Sequence, residues 1–187
     1  ERSVERAVEL AGSMERFVKK GERILLKPNL LSAKPSEKAV TTHPEVVRAL
    51  IGLVRQAGAT PVVGDSPGLG SARKVARMCG VLDVCVQTNT PLVDLKTLVI
   101  VENPGGHTFR RLEVAQEALE FDGIINIPKV KTHVLTILTG DFKNLYGVIP
   151  GLQKTTLHKM YPTPAEFGRL IAAIYGAVKP ALSIADG

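Results

Sequence analysis

Cysteine is scarce in this chain, with only Cys79 and Cys85. That excludes a disulfide-dense scaffold and a self-contained four-Cys metal or iron–sulfur site. Tryptophan is absent, and three Tyr and five Phe supply little from which to build a base-stacking platform. No apolar run approaches the ~18–20 residues that a membrane span needs. The opening stretch has amphipathic spacing and no apolar h-region, so it does not read as a signal peptide. Internal repeats and low-complexity tracts are missing too. So are a Walker A loop, a G-x-S-x-G elbow and an H-x-x-x-H pair. His43, Asp65, His133 and Asp186 offer ligating atoms, but without a close pair no metal is expected.

What remains is an ordinary globular composition: 187 residues, 44% hydrophobic and 22% charged. This predicts one α/β domain over residues 1–187. The net charge is +6, which favours anionic partners in general. Nucleic acid is not expected, because the basic residues are dispersed and no recognition module is present. No membrane partner is expected. Two cysteines without disulfide spacing favour a reducing cytoplasm. The last residues, Leu182 to Gly187, read as a strand running into a loop with no helix to cover it. The chain is therefore expected to be truncated at its C-terminus, as a fragment of something longer. An exposed sheet edge there can pair between chains to give a homodimer.

Apolar residues at Val4, Ala7, Val8, Ala11, Met14 and Val18 predict an amphipathic helix ending at Gly21. Arg23–Leu26 reads as a strand that runs into Lys27-Pro28-Asn29. Thr41-Thr42-His43-Pro44-Glu45 is a helix start, with a Thr or His cap and proline in the first turn, and Gly58 ends that helix. Thr60–Gly64 is a second strand, followed by a helix near Ala72–Cys79. Val81–Thr97 is ambiguous, Leu98–Glu102 is a strand, and Phe109–Leu119 fits either state. Gly123–Ile127 is a buried strand, Asp141–Tyr146 a short helix, Pro164–Val178 a helix and Ala181–Ala185 a last strand. Alternating strands and helices predict an open, mostly parallel sheet with helices on both faces, a Rossmann-like three-layer sandwich.

In such a sheet, ligands bind outside the carboxyl ends of the strands. Here those ends carry Lys27 and Asn29, then Asp65 and Ser66, then Lys129, Lys131 and His133, and finally Asp186. Gly64 to Ser71 links a strand to a helix. Gly68 lets a ligand approach the backbone, and the helix start offers free N–H groups to an anion; a plain tight turn explains the same residues. His43 precedes a helix N-terminus, where the dipole disfavours an imidazolium. Lys129 and Lys131 are two apart and share one face if extended. Lys143 and Asn144 follow and can present a charge and an amide to the same edge. His158 reads as part of a polar loop, and His107 follows Gly105-Gly106; neither is assigned a role. Cys79 and Cys85 read as buried small residues.

Five ordered strings carry a resemblance: Lys27-Pro-Asn-Leu30, Thr42-His-Pro-Glu-Val-Val47, Gly64-Asp-Ser-Pro-Gly68, Ile127-Pro-Lys-Val-Lys-Thr-His133 and Lys143-Asn-Leu-Tyr-Gly147. Together they resemble the family called domain of unknown function 362, from about Gly21 to Gly187. The closing Ile184-Ala-Asp-Gly187 resembles the start of a later Asp-Gly motif of that family. The resemblance implies an association with iron–sulfur chemistry, carried in many members by an adjacent ferredoxin-like segment. This chain lacks those Cys motifs, so no cluster ligated by this chain alone is expected, and the cofactor is left unassigned.

The function expected is an enzyme-like domain that binds a small carboxylate or phosphate ligand at the sheet's carboxyl edge. Lys129, Lys131 and Lys143 hold the anion, Asn29 and Ser66 orient it, and Lys27, Gly68 and Asn144 complete the ligand-binding set. His43 or His133, with Asp65, handles protons. The alternative is a redox accessory domain whose basic edge meets a ferredoxin-like segment or partner.

Overall fold

The structure is a computed structural model that describes residues 1–68, 70–103, 108–133, 137–151 and 153–187. His107 lies outside the described residues. Five parallel strands form the central sheet: β1 (Arg23–Pro28), β2 (Thr60–Asp65), β3 (Leu92–Asp94), β6 (Gly123–Ile127) and β9 (Leu182–Ser183), in the order β3-β2-β1-β6-β9. The chain moves outward from β1 to β3, then returns to the other side of β1 for β6 and β9. Strand order therefore reverses between β1 and β6, the place where open α/β sheets leave a crevice beyond the strand ends.

Alternation along β1 and β6 sets the two faces. Ile24, Leu26, Ile125 and Ile127 pack on one side with α1 (Arg2–Leu10), α2 (Pro44–Gln56), α3 (Ala72–Met78) and α4 (Val81–Gln87). Leu25 and Ile124 point the other way. They meet the antiparallel hairpin of β4 (Leu98–Glu102) and β5 (Arg111–Ala115), together with the turn after α5 (Asp141–Asn144) and α7 (Pro164–Val178). Helices thus cover both faces, and on the second they share the surface with a hairpin. Apolar side chains of the inner strands and of the helices on both faces are buried together, each stabilising the fold at ~25 cal/mol per Å2 buried.

Local sequence explains the helix boundaries. His43 caps α2 through Nδ1, which accepts the Glu45 N–H at 3.3 Å, and Pro44 takes the first turn. Thr163 and Glu166 form a reciprocal capping box at the start of α7. The N-terminal helix is shorter than its apolar spacing predicts. Gly12 and Ser13 take φ of 111° and 67°, so the chain leaves the helix and resumes as a 3-10 turn at Met14–Arg16.

Other elements differ as well. The ambiguous Val81–Thr97 segment resolves into α4 and β3, and Phe109–Leu119 becomes β5 followed by a 3-10 turn. The loop expected after β6 folds back as a short hairpin, β7 (Lys131–His133) with β8 (Ile137–Thr139). His158 sits on a helix, α6 (Gln153–Met160), not in a loop. The last strand contributes only Leu182–Ser183 to the ladder, with one further bridge between Lys129 and Asp186.

Candidate active site

Lys27 ends the central strand with no exposed surface. Burying an ammonium is costly unless it is paired. Its partner comes from the end of the adjacent strand: Asp65 Oδ1 lies 2.8 Å from Lys27 Nζ. The other carboxylate oxygen accepts the Leu30 N–H at 2.8 Å, which fixes the chain as it leaves β1. Gly147 closes over this pair. A Cβ there would collide with both Asp65 Oδ1 and Lys27 Nζ, so only glycine lets the backbone approach so closely.

Beside the ion pair runs a chain of amides. Asn144 Nδ2 donates to the Lys27 carbonyl at 3.1 Å and to Asn126 Oδ1 at 2.8 Å. Its Oδ1 accepts from Asn29 Nδ2 at 3.0 Å. Asn126 Nδ2 in turn donates to the Asp141 carbonyl and to Ser183 Oγ. Lys131 Nζ donates to Asn29 Oδ1 at 2.9 Å and to the Val40 carbonyl. The network ties β1, β6, β9 and α5 together behind the strand ends. Thr42 adds a staple, accepting from the Asn29 N–H at 2.8 Å and donating to the Ile127 carbonyl at 2.7 Å.

In front of these groups opens a cleft of about 750 Å3. Its floor is Lys27, Asn29, Asp65 and Asn144, and one wall is Ser66, Pro67 and Gly68. His133, Lys143, Tyr146, Lys154 and His158 line the rest of it. Lys154 donates to the Ser66 carbonyl, and Tyr146 OH donates to the Lys154 carbonyl at 2.7 Å. Lys143 Nζ sits 5.7 Å from the centroid of the Tyr146 ring. His158 stacks on Phe167 at 4.3 Å.

The electrostatics follow from this crowding. Burial pushes Lys154 down to about 8, with the Lys27 and Lys143 ammoniums adding to the fall and Asp65 opposing it. Burial does the same to Lys131, also to about 8, with Lys143 beside it and Asp65 again opposing. Lys143 falls for the same reason, helped by Lys27. Burial and then the Lys143 charge lower both His133 and His158, which holds these imidazoles largely neutral at pH 7. Among the described residues, the lining is thus a basic concave surface with one carboxylate, already paired, and two neutral imidazoles.

The family model for the domain of unknown function DUF362 matches residues 24–187. The chain belongs to this family. A thylakoid-associated protein of Synechocystis sp. is 40% identical over 192 residues, which is 99% of this chain and 57% of that protein. The lactate racemase apoprotein of Thermoanaerobacterium thermosaccharolyticum shares the fold, with a TM-score of 0.59 at 15% identity over 98% of this chain and 48% of the other. The chain thus spans about half the length of the relatives it matches.

Within this DUF362 chain, the cleft brings together Lys27, Asn29, Asp65, Ser66, Gly68, His133, Lys143 and Asn144. Lys131 lies just behind, on Asn29. Two expected residues lie elsewhere. Lys129 is not an anion holder at the cleft: its ammonium pairs with Asp186 at 3.2 Å, with both side chains nearly buried. His43 is exposed at the α2 cap, where its own N–H donates to Asp186 Oδ2 and its Nδ1 accepts from the Glu45 N–H. It is therefore not the proton-handling group of the cleft. The four residues weighed as metal ligands divide the same way, Asp65 and His133 in the cleft, His43 and Asp186 outside it.

The glycine-rich turn also works differently from the expectation. Two N–H groups at the start of α3 are taken within the fold: Asp94 Oδ1 accepts from Ala72, and Ser71 Oγ accepts from Lys74 at 3.2 Å. No anion need bind there, and Gly68 serves as cleft wall. Conversely, Lys154 drew no notice in the sequence, and His158, Tyr146 and Gly147 were given no role in the site. Lys154 and His158 are four apart on α6, so one helical face carries both; that spacing was the available signal. Cys79 and Cys85 are buried among α2–α4, and burial lifts the Cys85 thiol to about 11. Among the described residues no helix is long and apolar enough to cross a membrane.

Proposed function

We propose that this domain binds a small anionic molecule, a carboxylate or a phosphate, in the cleft outside β1, β2 and β6, as an enzyme-like site. The observation that carries the reading is the convergence of Lys143 and Lys154 on a concave surface whose single carboxylate is already taken by Lys27. Like charges in a partly dry pocket repel one another, and an anion removes that repulsion. Asn29 and Asn144 are held rigidly by their amide network and orient the ligand. His133 or His158, neutral within the same lining, takes up or delivers a proton. The likeness to a lactate racemase is one of fold, so the ligand class is argued from the lysines.

The test is thermal unfolding at fixed ionic strength with added phosphate or acetate. One of these anions should raise the melting temperature of the wild type by roughly 5–10 °C at a hundredfold excess over Kd. The shift should vanish in the Lys143→Met, Lys154→Met double variant and persist in Lys159→Met, which alters an exposed residue of the same helix. Equal shifts in the wild type and the double variant contradict the reading.

A further inference from the structure

Charge bookkeeping inside the cleft narrows the ligand further. Six ion pairs are found among the described residues, and none includes Lys131, Lys143 or Lys154. The direct contacts of these ammoniums are with neutral groups, and the Asp65 carboxylate acts on Lys131 and Lys154 only at longer range. Lys131 donates to an amide and a backbone carbonyl. Lys154 donates to a backbone carbonyl. Lys143 faces the ring of Tyr146. Asp65, the one carboxylate in the described lining, is matched one to one by Lys27. Lys143 and Lys154 in the lining and Lys131 just behind it, all partly buried, are therefore left without a paired counter-charge, and the exposed Lys74 adds a further positive charge to the lining.

Uncompensated charges held away from water are normally avoided. Solvated surface lysines would point outward, yet here Lys154 is folded back over Ser66 and Lys131 is held behind Asn29. One negative charge cannot balance this set, whereas two bring the cleft near neutrality. From this, and resting on the anion-binding reading above, we infer that the ligand of the cleft carries at least two negative charges, as a phosphate monoester or a dicarboxylate does. The volume, about 750 Å3, exceeds what an inorganic ion fills, and Leu30, Leu31 and Pro67 supply an apolar part of the lining. The ligand is thus a dianionic group on an organic body.

Isothermal titration at pH 7.5 and fixed ionic strength tests this with three probes: acetate, succinate and glycerol phosphate, the last mostly dianionic with a second pKa of ≈ 6. The better of the two dianions should bind at least about tenfold more tightly than acetate. In Lys154→Met and Lys143→Met that ratio should fall toward one. Glycerol phosphate ahead of succinate identifies a phosphoryl ligand; the reverse order identifies a dicarboxylate. Acetate binding as tightly as both dianions, and lost in the double variant, overturns the inference and leaves the anion site standing. No binding by any probe overturns both. The variants also report without ligand: removing an uncompensated ammonium should leave the melting temperature equal or higher. A fall would show that the fold already balances these charges, and the inference would fail.

Discussion

Lys27 concentrates the physics of the site in one residue. A lysine in the last turn of a buried central strand is tolerated because Asp65 arrives from the neighbouring strand end at ion-pair distance. Lys27→Met should leave the Asp65 carboxylate buried and unpaired, costing about 3–5 kcal/mol in chemical denaturation. Gly147→Ala should also destabilise, by roughly 1–3 kcal/mol, because the added methyl collides with both members of the pair; an unchanged denaturation midpoint would contradict the close approach. Residues such as Lys27, Asn29 and Asp65 were legible because a polar residue at the end of an apolar strand has few other reasons to be there. Lys129 was misread for the same reason. It follows β6 closely, and Asp186, expected at the same edge, takes its ammonium as a counter-charge, a pairing that no local pattern announces. Lys154 escaped notice because a lysine in a polar helix usually faces water, and only the packing of α6 turns it inward.

At the scale of elements, strong punctuation was readable and weak punctuation was not. The α2 and α7 starts have proline and a capping side chain, and the structure uses both. The β7–β8 hairpin carries no alternating apolar pattern, so it read as loop. The glycine-rich turn shows how a motif can be genuine and its use mistaken. Its helix start was expected to attract an anion, yet Asp94, a carboxylate of the fold itself, already accepts the Ala72 N–H. Asp94→Ala should therefore destabilise by about 0.5–2 kcal/mol, the usual worth of a cap, while leaving anion affinity in titrations unchanged. A loss of anion affinity without loss of stability would restore the turn as part of the site.

For the molecule as a whole, the alternation of strands and helices was enough to anticipate a parallel sheet and the edge at which polar residues gather. The reversal of order between β1 and β6 was not, since it depends on which strands pair across about a hundred residues of chain. The charge of the assembled cleft gives a global pH signature. Lys131 and Lys154 lie at about 8 in the folded protein, below the 10.5 of a free lysine. Between about pH 8 and 10.5 the unfolded chain therefore holds more protons, so these two groups make stability rise with pH across that window. Below pH 8 both forms are protonated and the penalty is constant. Stability should rise more steeply with pH in the wild type than in a Lys131→Met, Lys154→Met variant when the two are compared by denaturation. Anion affinity should move the opposite way, weakening as pH rises through 8 and the ammoniums are lost.

The location of the bound anion decides the matter most directly. Crystals soaked with tungstate, an oxyanion dianion with a strong anomalous signal, should show a peak within hydrogen-bond reach of Lys143 and Lys154, beyond the ends of β1 and β2. A peak at the α3 start or beside Lys129 and Asp186, with the cleft lysines turned to solvent, would contradict the account.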